Sequence, residues 1–253
     1  MLTLALGLAL TQVTAMDDVT LDIGGVKRQF YVYFPKTKDL NPRPVVFAYH
    51  GHGGNSRYSV NKYHVDKLWP EAISIYPQGL PTIGAITDPE GKKNGWQKDV
   101  GDYEDRDLKF FDAMLKWVHE KARINDKAVF SLGHSNGGSF SYLLWKARPD
   151  IMRAIAPSAA GGVSARGTKP IPVFHISGTT DPLVSFQLQT RTLNYVKRVD
   201  QCDAQGKKID ENMTRWDSKV DAPVVRYVFE GGHEMPEDSL VKAIQFLKVY
   251  AKD

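Results

Sequence analysis

Three residues capable of acyl-transfer chemistry stand in glycine-rich settings along the chain: Ser135 in Gly133-His-Ser-Asn-Gly137, Asp181 in Gly178-Thr-Thr-Asp-Pro182 and His233 in Gly231-Gly-His-Glu-Met-Pro236. A serine hydroxyl is a poor nucleophile until a base takes its proton, and an imidazole base works best when a carboxylate fixes its tautomer. The order Ser, Asp, His supplies all three parts. The segment around Ser135 matches G-x-S-x-G, a tight strand-to-helix turn that needs small residues on either side of a strained serine. An attacked ester or amide develops an oxyanion, which calls for backbone N–H groups aimed at one point. The turn His50-Gly-His-Gly-Gly54 is of that kind, and the donors are assigned to the backbone of His52 and Asn136. A metal reading competes, because His50 and His52, two residues apart, could share a face and bind zinc. It lacks a third ligand at a recognisable spacing, so neither a metal nor an organic cofactor is expected.

The rival side chains are weighed by the elements that carry them. His64 and His119 fall in helical patterns and read as surface or packing residues, and His175 sits inside an apolar strand as a core histidine. His134 adjoins Ser135 and is expected to point to the opposite side of the turn. Asp203 and Asp221 follow no strand and are weaker candidates than Asp181. Cys202, the single cysteine, has no partner for a disulfide and reads as a surface thiol.

These residues must be positioned by a scaffold, and the hydrophobic pattern describes one. Thr20 to Ile23 and Gln29 to Phe34 flank Gly24-Gly25 as an antiparallel hairpin. Short apolar runs then follow at 44–49, 72–76, 128–132, 153–156, 171–176 and 224–229, as expected of strands buried on both faces of a parallel sheet. Helical spacing appears over 105–122, 136–147, 186–199 and 239–250. Strands alternating with helices predict an α/β, mostly parallel, doubly wound sheet, with an N-terminal hairpin and no large cap. Ser135, Asp181 and His233 each follow a strand, at the edge where such sheets place ligands. The long polar connections 81–102 and 201–222 are expected beside or over that edge.

The chain has 253 residues, 42% of them hydrophobic and 25% charged, with a formal charge of +4. That composition suits one soluble globular domain, placed at 16–253. The basic residues form no run, so no nucleic-acid partner is expected. Leu2 to Leu10 is an apolar run followed by small residues at Val13 and Ala15, resembling a secretory signal over 1–15, although no Lys or Arg precedes it. A secreted or periplasmic protein is expected, with an N-terminal arm as the other reading. The run is too short to span a bilayer, and no membrane anchor is expected.

With these elements in place, the chain resembles the polyhydroxybutyrate depolymerase and feruloyl esterase group of small α/β-hydrolase esterases. The likeness begins near Tyr31 and includes Tyr76-Pro-Gln-Gly79, Gly95-Trp96, Asp107-Leu-Lys-Phe110, Ser135-Asn-Gly-Gly138 and Asp181-Pro-Leu-Val184. It implies a triad of Ser135, Asp181 and His233, and substrate contacts at Gln78, Trp96 and Met235. Met235 stands where the group usually has Trp, and Trp96 could equally serve the core. The group often pairs a cysteine near Cys202 with a second one, absent here, which implies a freer 201–222 segment. No added binding module follows the last helical pattern, so the expected substrates are small or polysaccharide-linked esters: feruloyl, acetyl or short hydroxyalkanoate. A peptidase of the same fold and a non-catalytic binding protein on that fold are the alternatives. Oligomeric state is not legible.

Overall fold

A computed structural model describes residues 16–36, 41–84, 87–161 and 168–252. The expected leader at 1–15 lies outside the described residues. Strands β1 (Asp17–Ile23) and β2 (Val26–Tyr33) form the antiparallel hairpin, turning through Gly24 and Gly25 at φ 62° and 84°, backbone that glycine adopts without strain.

The sheet has ten strands in the order β1-β2-β4-β3-β7-β8-β9-β12-β11-β10. Its centre is parallel: β4 (Ile73–Pro77), β3 (Arg43–Tyr49), β7 (Ile124–His134), β8 (Met152–Ser158), β9 (Val173–Gly178) and β12 (Val224–Phe229). The apolar runs are explained by burial on both faces. Along β3, Val45, Phe47 and Tyr49 enter one core cluster, and Val46 and Ala48 enter the other. The first cluster is closed by α3 (Arg106–Lys121), α4 (Asn136–Ala147) and α5 (Phe186–Val199). Helices α1 (Ser56–Tyr63), α2 (Val65–Leu68) and α6 (Glu237–Val249) close the second. Two short strands, β5 (Leu80–Pro81) and β6 (Asn94–Gly95), pair within the 81–102 connection.

The start of α3 shows why the Asp107 segment is built as it is. Asp107 is buried and forms an ion pair with buried Arg28 at 2.8 Å, while its other oxygen accepts from Gln97 N at 2.8 Å. Gln97 Oε1 in turn accepts from the backbone of Asp107 and Leu108, satisfying N–H groups that a helix start leaves open. The 81–102 connection is thereby fixed to the sheet.

Two expectations need correction. The 201–222 segment is not a freer loop reaching over the site, because β10 (Lys207–Lys208) and β11 (Met213–Trp216) extend the sheet antiparallel to β12. Backbone pairing, not a disulfide, holds it. Cys202 is half-buried against the core rather than a surface thiol, and burial pushes it up to about 11, away from thiolate chemistry. Among the described residues, no helix is long and apolar enough to cross a membrane.

Candidate active site

The ends of β3, β7, β9 and β12 deliver His52, Ser135, Asp181 and His233 to one edge of the sheet. At the β7-to-α4 turn Ser135 has φ 57° and ψ −121°, a conformation that L-residues rarely hold. The turn is possible because Gly137 passes against β3: a Cβ there would lie 2.3 Å from Tyr49 O. Ser135 N donates to Ser158 O at 2.8 Å, pinning the strained residue to β8.

Asp181 is buried and its carboxylate is fully employed. Oδ1 accepts from Leu183 N and Val184 N, both at 2.9 Å, and Oδ2 accepts from Gln189 Nε2 at 3.2 Å. His233 Nδ1 lies 2.9 Å from Oδ2 and 3.0 Å from Oδ1. An ionised carboxylate can only accept, so the neutral imidazole carries its proton on Nδ1 and keeps Nε2 as the basic nitrogen. Thr180 holds the two loops together, its N and Oγ1 both donating to Gly231 O, at 3.0 and 2.9 Å.

Ser135, His233, His52 and Asn136 line one cavity of about 720 Å³, together with Tyr58, Ile83, Lys93, Lys98, Leu183 and Val184. Ser135 Oγ forms no hydrogen bond among the described residues. The Ser135-to-His233 link is therefore open at hydrogen-bond distance, and such links commonly tighten only with substrate in place. The backbone N–H groups of His52 and Asn136 are likewise unengaged among the described residues, whereas the next donors on the turn, Gly53 N and Gly54 N, bond Asn94 O and Gly51 O.

The His50 and His52 side chains do not converge on a metal position. His50 is buried, with Nδ1 against Gly51 O and Nε2 accepting from Gly79 N, and burial pulls it down to about 4. His52 Nε2 meets Asp88 Oδ2 at 3.2 Å. Asp88 also accepts from Lys93 N at 2.7 Å, so it ties the His50–Gly54 turn to the 81–102 connection.

The substrate contacts implied by the resemblance are not brought to the cavity. Trp96 is fully buried, with Nε1 donating to His50 O and its ring against Tyr49, His50 and Phe140. Its backbone is what serves the site: Trp96 N donates to Asn136 Oδ1 at 2.7 Å and Asn136 Nδ2 returns to Trp96 O at 3.0 Å. Gln78 Oε1 accepts from Ser56 N and Oγ at the start of α1, and Met235 packs in the second core cluster. Tyr58, Ile83 and Leu183 are exposed apolar side chains on the wall, 53%, 52% and 39% accessible.

His134 also departs from expectation. It turns toward His233, with ring centroids 4.7 Å apart, and lines the cavity. Burial, reinforced by the neighbouring His233, pulls it down to about 3 and keeps it uncharged beside that imidazole. His175 is the core histidine expected, bonded to Tyr142 Oη at 2.8 Å and Gln189 Oε1 at 3.0 Å. His64 and His119 lie away from the cavity and pair with Glu237 and Asp126. Gln189, Asp88, Lys93 and Lys98 had no motif to announce them.

No family model matches the chain. Among curated relatives it is 30% identical over 162 residues to "Probable feruloyl esterase C" of Aspergillus flavus, covering 63% of this chain and 57% of the relative. To feruloyl esterase C of Emericella nidulans it is 26% identical over 215 residues, covering 82% and 76%. The chain is thus similar in sequence to feruloyl esterases. It spans little more than half the length of several of these relatives. Solved structures similar in fold to this chain include an acetyl xylan esterase from Aspergillus awamori, at TM-score 0.66 and 16% identity over 92% of this chain and 99% of that one. A ferulic acid esterase superposes at TM-score 0.63 and 17% identity over 94% and 98%. At these identities the superpositions establish the α/β-hydrolase fold.

Proposed function

We propose that the protein is a serine carboxylester hydrolase that cleaves small or polysaccharide-linked esters, feruloyl and acetyl esters foremost. His233 Nε2 takes the Ser135 hydroxyl proton as Oγ bonds to the ester carbonyl carbon. The carbonyl oxygen, now anionic, is held by the N–H groups of His52 and Asn136, and Asp181 orients and stabilises the imidazolium. Collapse of the tetrahedral adduct breaks the carbon–oxygen bond, and the alcohol leaves with the proton from His233. Water, activated by the same imidazole, then frees the acid and restores Ser135.

The observation that carries this reading is the convergence of a strained Ser135, an Asp181-bound His233 and two unengaged N–H groups on one cavity. The substrate class rests on the kinship with feruloyl esterases and on the likeness to a bifunctional acetylxylan esterase/xylanase of Neocallimastix patriciarum, 25% identical over 64% of this chain and 23% of that protein. Residues 16–253 form the catalytic domain in this proposal, and 1–15 an export signal removed outside the cytoplasm, to be checked by N-terminal sequencing of the exported protein. The enzymatic test is hydrolysis of methyl ferulate and p-nitrophenyl acetate by wild type and Ser135→Ala. Loss of turnover by at least about a thousandfold at unchanged folding is expected, because the nucleophile acts only through the covalent step. Equal turnover by the two proteins contradicts the proposal.

A further inference from the structure

We propose that the cavity selects esters carrying a carboxylate away from the scissile bond, with Lys93 and Lys98 holding that anion. This rests on the hydrolytic reading of Ser135. One wall of the cavity, supplied by the 81–102 connection, presents Ile83, Gly84, Thr87, Lys93 and Lys98, and among the described residues no Asp or Glu lines the cavity. Both lysines are exposed, and neither ammonium has an ion pair or hydrogen bond among the described residues.

The acidic side chains nearby are already committed. Asp88 takes His52 Nε2 and Lys93 N, Asp99 takes the Lys146 ammonium at 3.0 Å, and Asp102 takes Lys98 N and Asp99 N. The other ionisable groups facing the cavity are Tyr58, His52, His134 and His233, none of which is a carboxylate. The stem of Lys93 crosses the oxyanion turn: its Cδ would lie 3.5 Å from a Cβ on Gly53. Its charge is thus tied to the turn that would hold the reacting carbonyl oxygen. Tyr58, Ile83 and Leu183 offer apolar surface in the same cavity. A substrate with an ester at one end, an apolar middle and a carboxylate at the other matches this arrangement. Uronate-bearing glycan esters and half-esters of dicarboxylic acids share that chemistry.

The test compares mono-p-nitrophenyl adipate with p-nitrophenyl hexanoate, which have the same chain length but differ by one carboxylate. At low ionic strength wild type should favour the anionic ester in kcat/KM by about tenfold, the preference shrinking as salt screens the lysines. In Lys93→Met/Lys98→Met, which keeps the stems, the ratio of the two kcat/KM values should fall toward one. A second arm reads binding without turnover: Ser135→Ala titrated with monomethyl adipate and dimethyl adipate, the anion binding about tenfold tighter and the difference vanishing in the lysine variant. Equal kcat/KM for the two esters, with turnover abolished by Ser135→Ala, overturns the anion site and leaves the esterase reading standing. Absence of turnover with tighter binding of the anion does the reverse, and equal binding of the two adipates overturns the anion site whatever the turnover.

Discussion

Replacing Gln189 by leucine probes the part of the site that no motif announces. Gln189 is fully buried, and it links the core histidine to the carboxylate behind His233. Its Nε2 donates to Val184 O at 2.7 Å and to Asp181 Oδ2 at 3.2 Å, so its Oε1 must accept from His175 Nε2–H, at 3.0 Å. That fixes the His175 tautomer, leaving Nδ1 to accept from Tyr142 Oη at 2.8 Å. Leucine keeps the volume but strands the Val184 carbonyl and the His175 N–H, each costing about 1–3 kcal/mol when buried without a partner, so unfolding should be easier by roughly 2–6 kcal/mol. It also removes a hydrogen bond to a charged oxygen, worth about 1.5–3 kcal/mol. If that is felt fully when the imidazolium forms, kcat falls about tenfold to a hundredfold. Urea unfolding and steady-state hydrolysis of p-nitrophenyl acetate measure the two effects, with KM expected to move much less than kcat. Wild-type kcat together with wild-type stability would refute the claim that this chain of hydrogen bonds positions Asp181.

Asp200 gives a pH-dependent outcome. Its carboxyl is buried with Oδ2 unpartnered, and burial raises it from 3.8 to about 8. The folded protein keeps this proton while the unfolded chain releases it, so the associated stability is full below about pH 4 and is lost as pH rises through about 8. Between pH 5 and 8 the loss is about 4 kcal/mol, and Asp200→Asn should be more stabilising at pH 8 than at pH 5 by a difference of that order in urea unfolding. A difference that does not change with pH contradicts the assignment. Trp96→Phe should lower stability by about 1–3 kcal/mol, through the lost bond to His50 O and imperfect packing, while leaving the ratio of kcat/KM for methyl ferulate and p-nitrophenyl acetate unchanged. A changed ratio would return Trp96 to the substrate.

The architecture was legible because β3, β4, β7, β8, β9 and β12 are buried on both faces over most of their length, which forces apolar runs, and because α3, α4 and α5 each bury a stripe at helical spacing. Ser135, Asp181 and His233 were legible for a related reason: the β7 turn leaves glycine almost no alternative at Gly137, and each candidate follows an apolar run that ends at the ligand-binding edge. The β10–β11 edge was missed because its strands are two and four residues long, the first exposed and the second only half-buried. The turn of His134 toward His233 is a property of one side-chain rotamer, which periodicity does not encode. Trp96 illustrates a third limit. An aromatic beside a glycine in a long polar connection reads as a ligand contact, yet its ring completes the core while its backbone fastens Asn136. Gln189 and Asp88 act through contacts between separate segments, and the two lysines reach the cavity only through the folded course of their loop, so nothing in their own segments marks them.

The central claim is that Ser135, activated by His233, is the residue that becomes acylated. Incubating the protein with a fluorophosphonate probe and mapping the modified peptide by mass spectrometry tests it directly, because the probe phosphonylates only an activated hydroxyl. The account predicts one label per chain, carried by Ser135, with the rate of labelling reduced by at least about a hundredfold in His233→Ala, which lacks the base. Labelling elsewhere, or at Ser135 at the same rate without His233, would contradict it.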